Sequence, residues 1–174
     1  MRLNLKDILH EPGASRSFDF ALDLSQLDFN GSCPVARPVQ VSGIVRNVAD
    51  ALVLEGEAAT TLELTCDRCL EPFTQEMRVP VEALLAESLA NEAGADNDEI
   101  ILLEDGAVDL DEVFTTAVVL AMDSKHLCRE DCKGLCPGCG VNLNREPCRC
   151  RKEVDPRLAA LAQLLDKPSE SESE

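Results

Sequence analysis

Polar and apolar residues alternate through the first third of the chain. Phe18, Phe20, Leu22 and Leu24 interleave with Asp19, Ala21 and Asp23, the period of two that marks a half-buried strand. Val35–Val48, Ala51–Glu57 and Ala58–Thr65 continue in this style, rich in Val, Ile, Leu and Thr, with Gly43 and Gly56 as interruptions. A further extended run passes Met77, Val79 and Val81, where Pro72 and Pro80 argue against a long helix. The period then changes. Asp109 is placed to cap a helix, with Glu112 three residues on to answer it, and Leu110, Val113, Phe114, Ala117, Val118 and Ala121 recur at helical spacing. A second helix is expected from Asp155-Pro156 through Leu158, Leu161, Leu164 and Leu165.

The fold class this implies is α+β: an antiparallel sheet or partial barrel closed by a helix, a cysteine-rich carboxy-terminal module and a short terminal helix. Residues 1–124 form the mainly β body, 125–152 the cysteine module, 153–166 the helix and 167–174 a disordered acidic tail. Within the body, the small polar residues of 91–99 read as a mobile acidic loop. At 174 residues, with 45% hydrophobic and 28% charged positions, the chain has material for one real core. No apolar run is long enough for a membrane span, and Met1–Asp7 lacks a secretion signal, so a cytoplasmic protein is expected, with no membrane partner.

Charge narrows the functional classes. Against 16 bases stand 33 acids, a net charge of −17, and the chain as a whole repels a phosphate backbone. With five Phe and neither Trp nor Tyr there is little to stack on unpaired bases. From Val79 to Ser124 there are acids and no Lys or Arg, which reads as a solvated face or a surface for a basic partner. Neither His10 nor His126 has a neighbouring nucleophile and orienting acid, and no glycine loop suits a phosphate. A non-enzyme without a small-molecule substrate is expected.

Nine cysteines carry the remaining chemistry. Eight form close pairs, Cys66 with Cys69, Cys128 with Cys132, Cys136 with Cys139 and Cys148 with Cys150, while Cys33 reads as a spare small hydrophobe. In a reducing compartment such pairs indicate metal, zinc ahead of an iron–sulfur cluster, with disulfides last. Cys136-Pro137-Gly138-Cys139-Gly140 has the form of a zinc knuckle, two thiolates on a tight turn. One or two ions fit. The preferred division puts Cys136, Cys139, Cys148 and Cys150 on one, and Cys66, Cys69, Cys128 and Cys132 on a second that ties the module to the sheet. Rivals join Cys66 and Cys69 to Cys136 and Cys139, put Cys128 and Cys132 with Cys136 and Cys139, or leave Cys66 and Cys69 without metal. Loop closure decides little, since a loop of about 60 residues costs only about 1.8 kcal/mol more than one of about 8. A redox role for Cys66-x-x-Cys69 would need a helix start, which Leu70-Glu71-Pro72 disfavours. His126 reads as a loop residue ahead of a substitute ligand. Between Lys125 and Lys152, seven bases face Glu130, Asp131 and Glu146, so Lys133, Arg145, Arg149, Arg151 and Lys152 are candidates for weak, salt-sensitive RNA contacts.

Cys66-Asp67-Arg68-Cys69-Leu70-Glu71-Pro72-Phe73, the run from Cys128 to Asn144 and Asp155-Pro156-Arg157-Leu158 together closely resemble the YceD family, the large ribosomal RNA subunit accumulation proteins. The resemblance spans about residues 35–166. It implies a bacterial ribosome-biogenesis factor supporting accumulation of large-subunit (23S) ribosomal RNA. The acidic stretch from Glu82 to Asp123 then suggests binding of a basic ribosomal protein or RNA-processing factor. Direct contact of the basic module with large-subunit ribosomal RNA is the alternative, and a redox-switched zinc chaperone a second.

Overall fold

A computed structural model describes residues 1–49, 51–87 and 100–150. The expected loop at 91–99, the helix at 153–166, the tail at 167–174, and Arg151 and Lys152 lie outside the described residues. Among the described residues two compact units are present, one of Met1–Asp67 with Glu71–Cys128, the other of Arg68–Leu70 with the chain from Arg129 to Cys150.

The larger unit contains β1 (Arg2–Asn4), β2 (Ser15–Leu22), β3 (Val39–Val48), β4 (Ala51–Thr65), β5 (Pro72–Ala86), β6 (Ile100–Leu102), β7 (Ala107–Asp109) and α1 (Leu110–Ala121). β2 to β6 form one open sheet in sequence order, antiparallel except for the parallel pairing of β5 with β6, and β1 pairs with β7 in a two-stranded sheet. The sheet does not close into a barrel among the described residues.

Period-two burial holds along the long strands: Val39, Val41, Val45 and Asn47 of β3, and Leu52, Leu54, Ala58, Leu62 and Leu64 of β4, all face the core. Two expectations need correction. β3 starts at Val39, with Val35 buried in the preceding loop. Ala51–Glu57 and Ala58–Thr65 are a single strand of 15 residues, because Gly56 does not break it.

The two glycines leave room for aromatic rings. Phe18 pairs with Gly43, Gly43 with Gly56 and Gly56 with Val81, making one row across four strands. A Cβ on Gly43 would lie 2.5 Å from the tip of the Phe18 ring, and one on Gly56 2.8 Å from the tip of the Phe114 ring. The absence of side chains lets both rings settle on the sheet, where Phe18 and Phe114 meet edge to face at 5.8 Å.

Phe114 belongs to α1, which buries Leu110, Phe114 and Val118. Val113 and Ala117 flank this stripe, but Ala121 is exposed, and Met122 one residue beyond the helix is buried. Asp109 caps the helix, its Oδ1 accepting the Asp111 N–H at 3.0 Å. The buried Asn47 side chain donates to the carbonyls of Ile8 and Leu9, at 2.8 and 2.9 Å, and holds the segment between β1 and β2. No helix among the described residues is long and apolar enough to cross a membrane.

Candidate metal centres

The smaller unit is held together by backbone bonds and sulfur. Cys136 N–H donates to the Val141 carbonyl and Gly140 N–H to the Cys136 carbonyl, at 2.9 and 2.8 Å, closing a tight turn around the Cys136–Cys139 pair. Gly140 takes φ +71°, which a side chain would oppose. Leu135 and Asn142 form an isolated antiparallel bridge beneath the turn.

Four sulfurs converge at this turn. Cys136 Sγ lies 3.2 Å from Cys148 Sγ and 3.4 Å from Cys150 Sγ; Cys139 to Cys148 is 3.7 Å and Cys148 to Cys150 2.8 Å. A tetrahedron with metal–sulfur bonds of about 2.3 Å has edges of about 3.8 Å, so these four separations stand at or inside the spacing of a four-sulfur site. Gly138 makes room for them, since a Cβ there would sit 3.1 Å from Cys150 Sγ.

Amides point at the sulfurs. The Cys139 amide is the largest influence pulling the Cys136 thiol down to about 6, aided by Cys148 Sγ and the Gly138 amide. The Cys150 thiol is pushed up to about 12, first by hydrogen bonding with Cys148. Of these thiols Cys136 is the readier to become thiolate. The Cys150 N–H also donates to Cys148 Sγ at 3.3 Å. Such N–H···S bonds orient and stabilise metal-bound thiolate.

The sulfurs of Cys136, Cys139, Cys148 and Cys150 all lie within 4.8 Å of one another. Of the remaining paired cysteines, Cys66 and Cys128 belong to the larger unit and Cys69 and Cys132 to the smaller. Cys66, Cys69 and Cys132 are buried. Cys66 N–H donates to the Glu71 carbonyl at 2.9 Å, closing a turn in which Leu70 adopts φ +58°. Asp67 and His126 are tied through the backbone, Asp67 N–H to the His126 carbonyl at 2.9 Å and His126 N–H to Asp67 Oδ2 at 2.6 Å. The His126 ring lies 6.3 Å from the Phe29 ring. Within the smaller unit Cys136, Cys139, Cys148 and Cys150 come together, a set that could hold a metal ion, and Cys33 stands exposed.

Sequence reasoning did not single out the residues that support Cys132. Asn144 Nδ2 donates to Cys132 Sγ at 3.3 Å and to Asn142 Oδ1 at 2.9 Å, while Asn144 Oδ1 accepts the Lys133 N–H at 2.8 Å. The Arg68 guanidinium donates to the Cys132 carbonyl at 2.8 Å, and the Arg68 carbonyl accepts the Leu135 N–H at 3.0 Å. The available signal was Asn142-x-Asn144, since asparagines two apart favour the turn in which Asn142 Oδ1 accepts the Asn144 N–H at 2.9 Å.

Lys133, Arg145 and Arg149 are exposed on the smaller unit. On the larger unit Glu82, Glu104, Glu112 and Asp123 are exposed, all within the stretch devoid of bases.

The family description "Large ribosomal RNA subunit accumulation protein YceD" matches residues 54–165. An uncharacterized protein of Mycobacterium tuberculosis is 33% identical over 128 residues, 73% of this chain and 62% of that protein. A chloroplastic protein of Zea mays, named Large ribosomal RNA subunit accumulation protein YCED homolog 1, is 29% identical over 86% of this chain and 61% of its own length. The uncharacterized protein YlbN of Bacillus subtilis is 25% identical, with 94% of this chain and 96% of the relative covered. The chain therefore spans less than two thirds of the mycobacterial and maize relatives. No solved structure matches it.

Proposed function

The chain belongs to the YceD family, and on that premise we propose that it supports accumulation of large-subunit ribosomal RNA in the cytoplasm as a non-enzymatic assembly factor. Its acidic surface receives a basic protein, either a ribosomal protein or an RNA-processing factor. What supports the non-enzymatic part is the donor count: an ion held tetrahedrally by Cys136, Cys139, Cys148 and Cys150 would keep no position for substrate or activated water.

Zinc fits this donor set, since the eight candidate ligands are all cysteine and the Cys136 turn directs amides at sulfur. Bound there, zinc would crosslink Cys136, Cys139, Cys148 and Cys150 at one site and Cys66, Cys69, Cys128 and Cys132 at the other, fixing chain segments that have little apolar core of their own. The chain's residues do the rest. Gly138 and Gly140 admit the turn, Asn144 holds the Cys132 sulfur, and Arg68 clamps the backbone at Cys132.

A protein partner is favoured over RNA by the charge distribution. The chain's net charge of −17 opposes a polyanion, and the few bases of the module would give weak, salt-sensitive contacts. Affinity capture of the full chain from growing cells, with and without ribonuclease, tests the reading. Large-subunit proteins or processing factors retained after ribonuclease treatment are expected. Capture of large-subunit RNA alone, lost on neutralising Lys133, Arg145 and Arg149, would replace this reading with direct RNA binding. Absence of every large-subunit component would overturn it altogether. Client protection that appears only when oxidant expels the metal would point instead to a redox chaperone.

A further inference from the structure

Where the acidic stretch folds, it makes a groove. Residues of β5, β6, β7 and α1 enclose about 580 Å³, within the range of sites that hold a few side chains of a ligand. Val81, Ala83, Ile101, Val113 and Ala117 contribute apolar surface. Two leucines at the groove are solvent-exposed to a degree unusual for their type, Leu102 at 49% and Leu120 at 80%. Exposed leucines beside an apolar groove mark a binding surface more often than leucines scattered singly.

The charged residues around this apolar surface are almost all of one sign. Glu82, Glu104, Asp109 and Glu112 line the groove, and Arg2 is the single base among its lining residues. Arg2 is engaged with Glu104, donating to its carbonyl at 2.8 Å. Asp109 is occupied by the Asp111 N–H and the Met1 ammonium. Glu82 and Glu112 are exposed and have no ion-pair partner among the described residues. The surface thus combines desolvation energy for an apolar group with a local potential that favours cations around it.

We propose that this groove seats a short segment of a basic protein, an apolar side chain inserted beside Leu102 and Leu120 and flanked by lysine or arginine paired with Glu82 and Glu112. The proposal deepens the protein-partner reading and rests on it. Three other occupants fit poorly. A nucleic acid and an anionic bilayer both meet like charge at Glu82 and Glu112. A second copy docking through the same face would bring the two acidic rims together. In the basic segment the apolar contact supplies affinity, and the acids set encounter rate and select against acidic sequences.

The test uses the full-length, zinc-replete protein and a fluorescent twelve-residue peptide with a central Leu-Leu pair between lysines, read by anisotropy. Two control peptides replace the lysines with glutamate or the leucines with serine. Both controls are expected to bind at least tenfold more weakly. Glu82→Lys with Glu112→Lys, and separately Leu120→Ser, are expected to weaken the parent peptide by about tenfold each. Glu63→Lys with Glu76→Lys changes the net charge equally at exposed positions outside the groove, and a loss below threefold is expected. Equal losses from the two double variants, or indifference to both leucine changes, would reduce the binding to bulk charge and overturn the proposal. Self-association abolished by Leu120→Ser would do the same in favour of a dimer. The outcome separates from the broader reading, because cellular capture unaffected by Glu82→Lys with Glu112→Lys removes the groove and leaves the protein-partner function standing.

Discussion

Replacing Gly43 by alanine measures how tightly the aromatic layer is fitted to the sheet. The new Cβ would stand 2.5 Å from the Glu55 carbonyl oxygen, 2.5 Å from the Phe18 ring tip and 2.7 Å from Gly56 Cα. Two of these three are backbone atoms of the adjacent strand, which cannot rotate away. Overpacking of a closed site costs about 1–3 kcal/mol, and immovable neighbours place Gly43→Ala at the upper end. Removing a glycine from the unfolded chain returns about 0.4–1 kcal/mol. The net loss is therefore about 2 kcal/mol, or about 4–8 °C in midpoint for a chain of this size. At Gly56 the nearest atom is the Phe114 ring tip at 2.8 Å, followed by the Ser42 carbonyl oxygen at 3.1 Å, and a ring can tilt. Gly56→Ala is expected to lose about 1 kcal/mol. Urea denaturation of the zinc-replete protein at constant pH reads both. Combined with Phe18→Ala, Gly43→Ala should cost less than it does alone, because the ring contact is gone and only the backbone clash persists. A Gly43→Ala variant as stable as the parent would refute the reasoning, since the glycine row would then have no steric purpose.

Metal analysis of the purified protein should give a zinc-to-protein ratio of about two by the four-sulfur coordination of each group, falling to about one in either Cys69→Ser or Cys139→Ser; a ratio that stays at one in the parent contradicts two centres. Asn144→Ala removes the N–H···S bond to Cys132 and the acceptor for Lys133, and competition with a chelator should show at least about tenfold weaker retention of one ion, with the other unaffected. The Asp109 carboxyl is held below its ordinary 3.8 by the Asp111 amide, so its contribution is present at neutral pH and is lost as pH falls through that lowered value. The midpoint difference between the parent and Asp109→Asn should shrink on acidification below 3.8, and a gap that widens would show the sign to be wrong.

Local pattern made much of the molecule readable in advance. The alternation in Phe18–Leu22 is strand β2, and the Asp109 cap with Leu110, Phe114 and Val118 is helix α1, because each depends on neighbours two to four residues away. Cysteine pairs separated by one to three residues announced sulfur turns for the same reason. The resemblance to a known family was equally local, carried by contiguous strings around Cys66 and Cys136 that also lie within the matched residues 54–165.

Gly43 and Gly56 looked like interruptions, and only strand register showed them opposite each other under two phenyl rings. The grouping of sulfur pairs is of the same kind, since closure entropy grows only logarithmically with loop length and barely ranks the alternatives. The groove is assembled from residues as far apart as Arg2 and Leu120, none of which carries a signal for the others. Periodicity and capping are one-dimensional and belong to the sequence itself. Which surfaces meet depends on register and packing across the whole chain, and that was decided only when the tertiary structure formed.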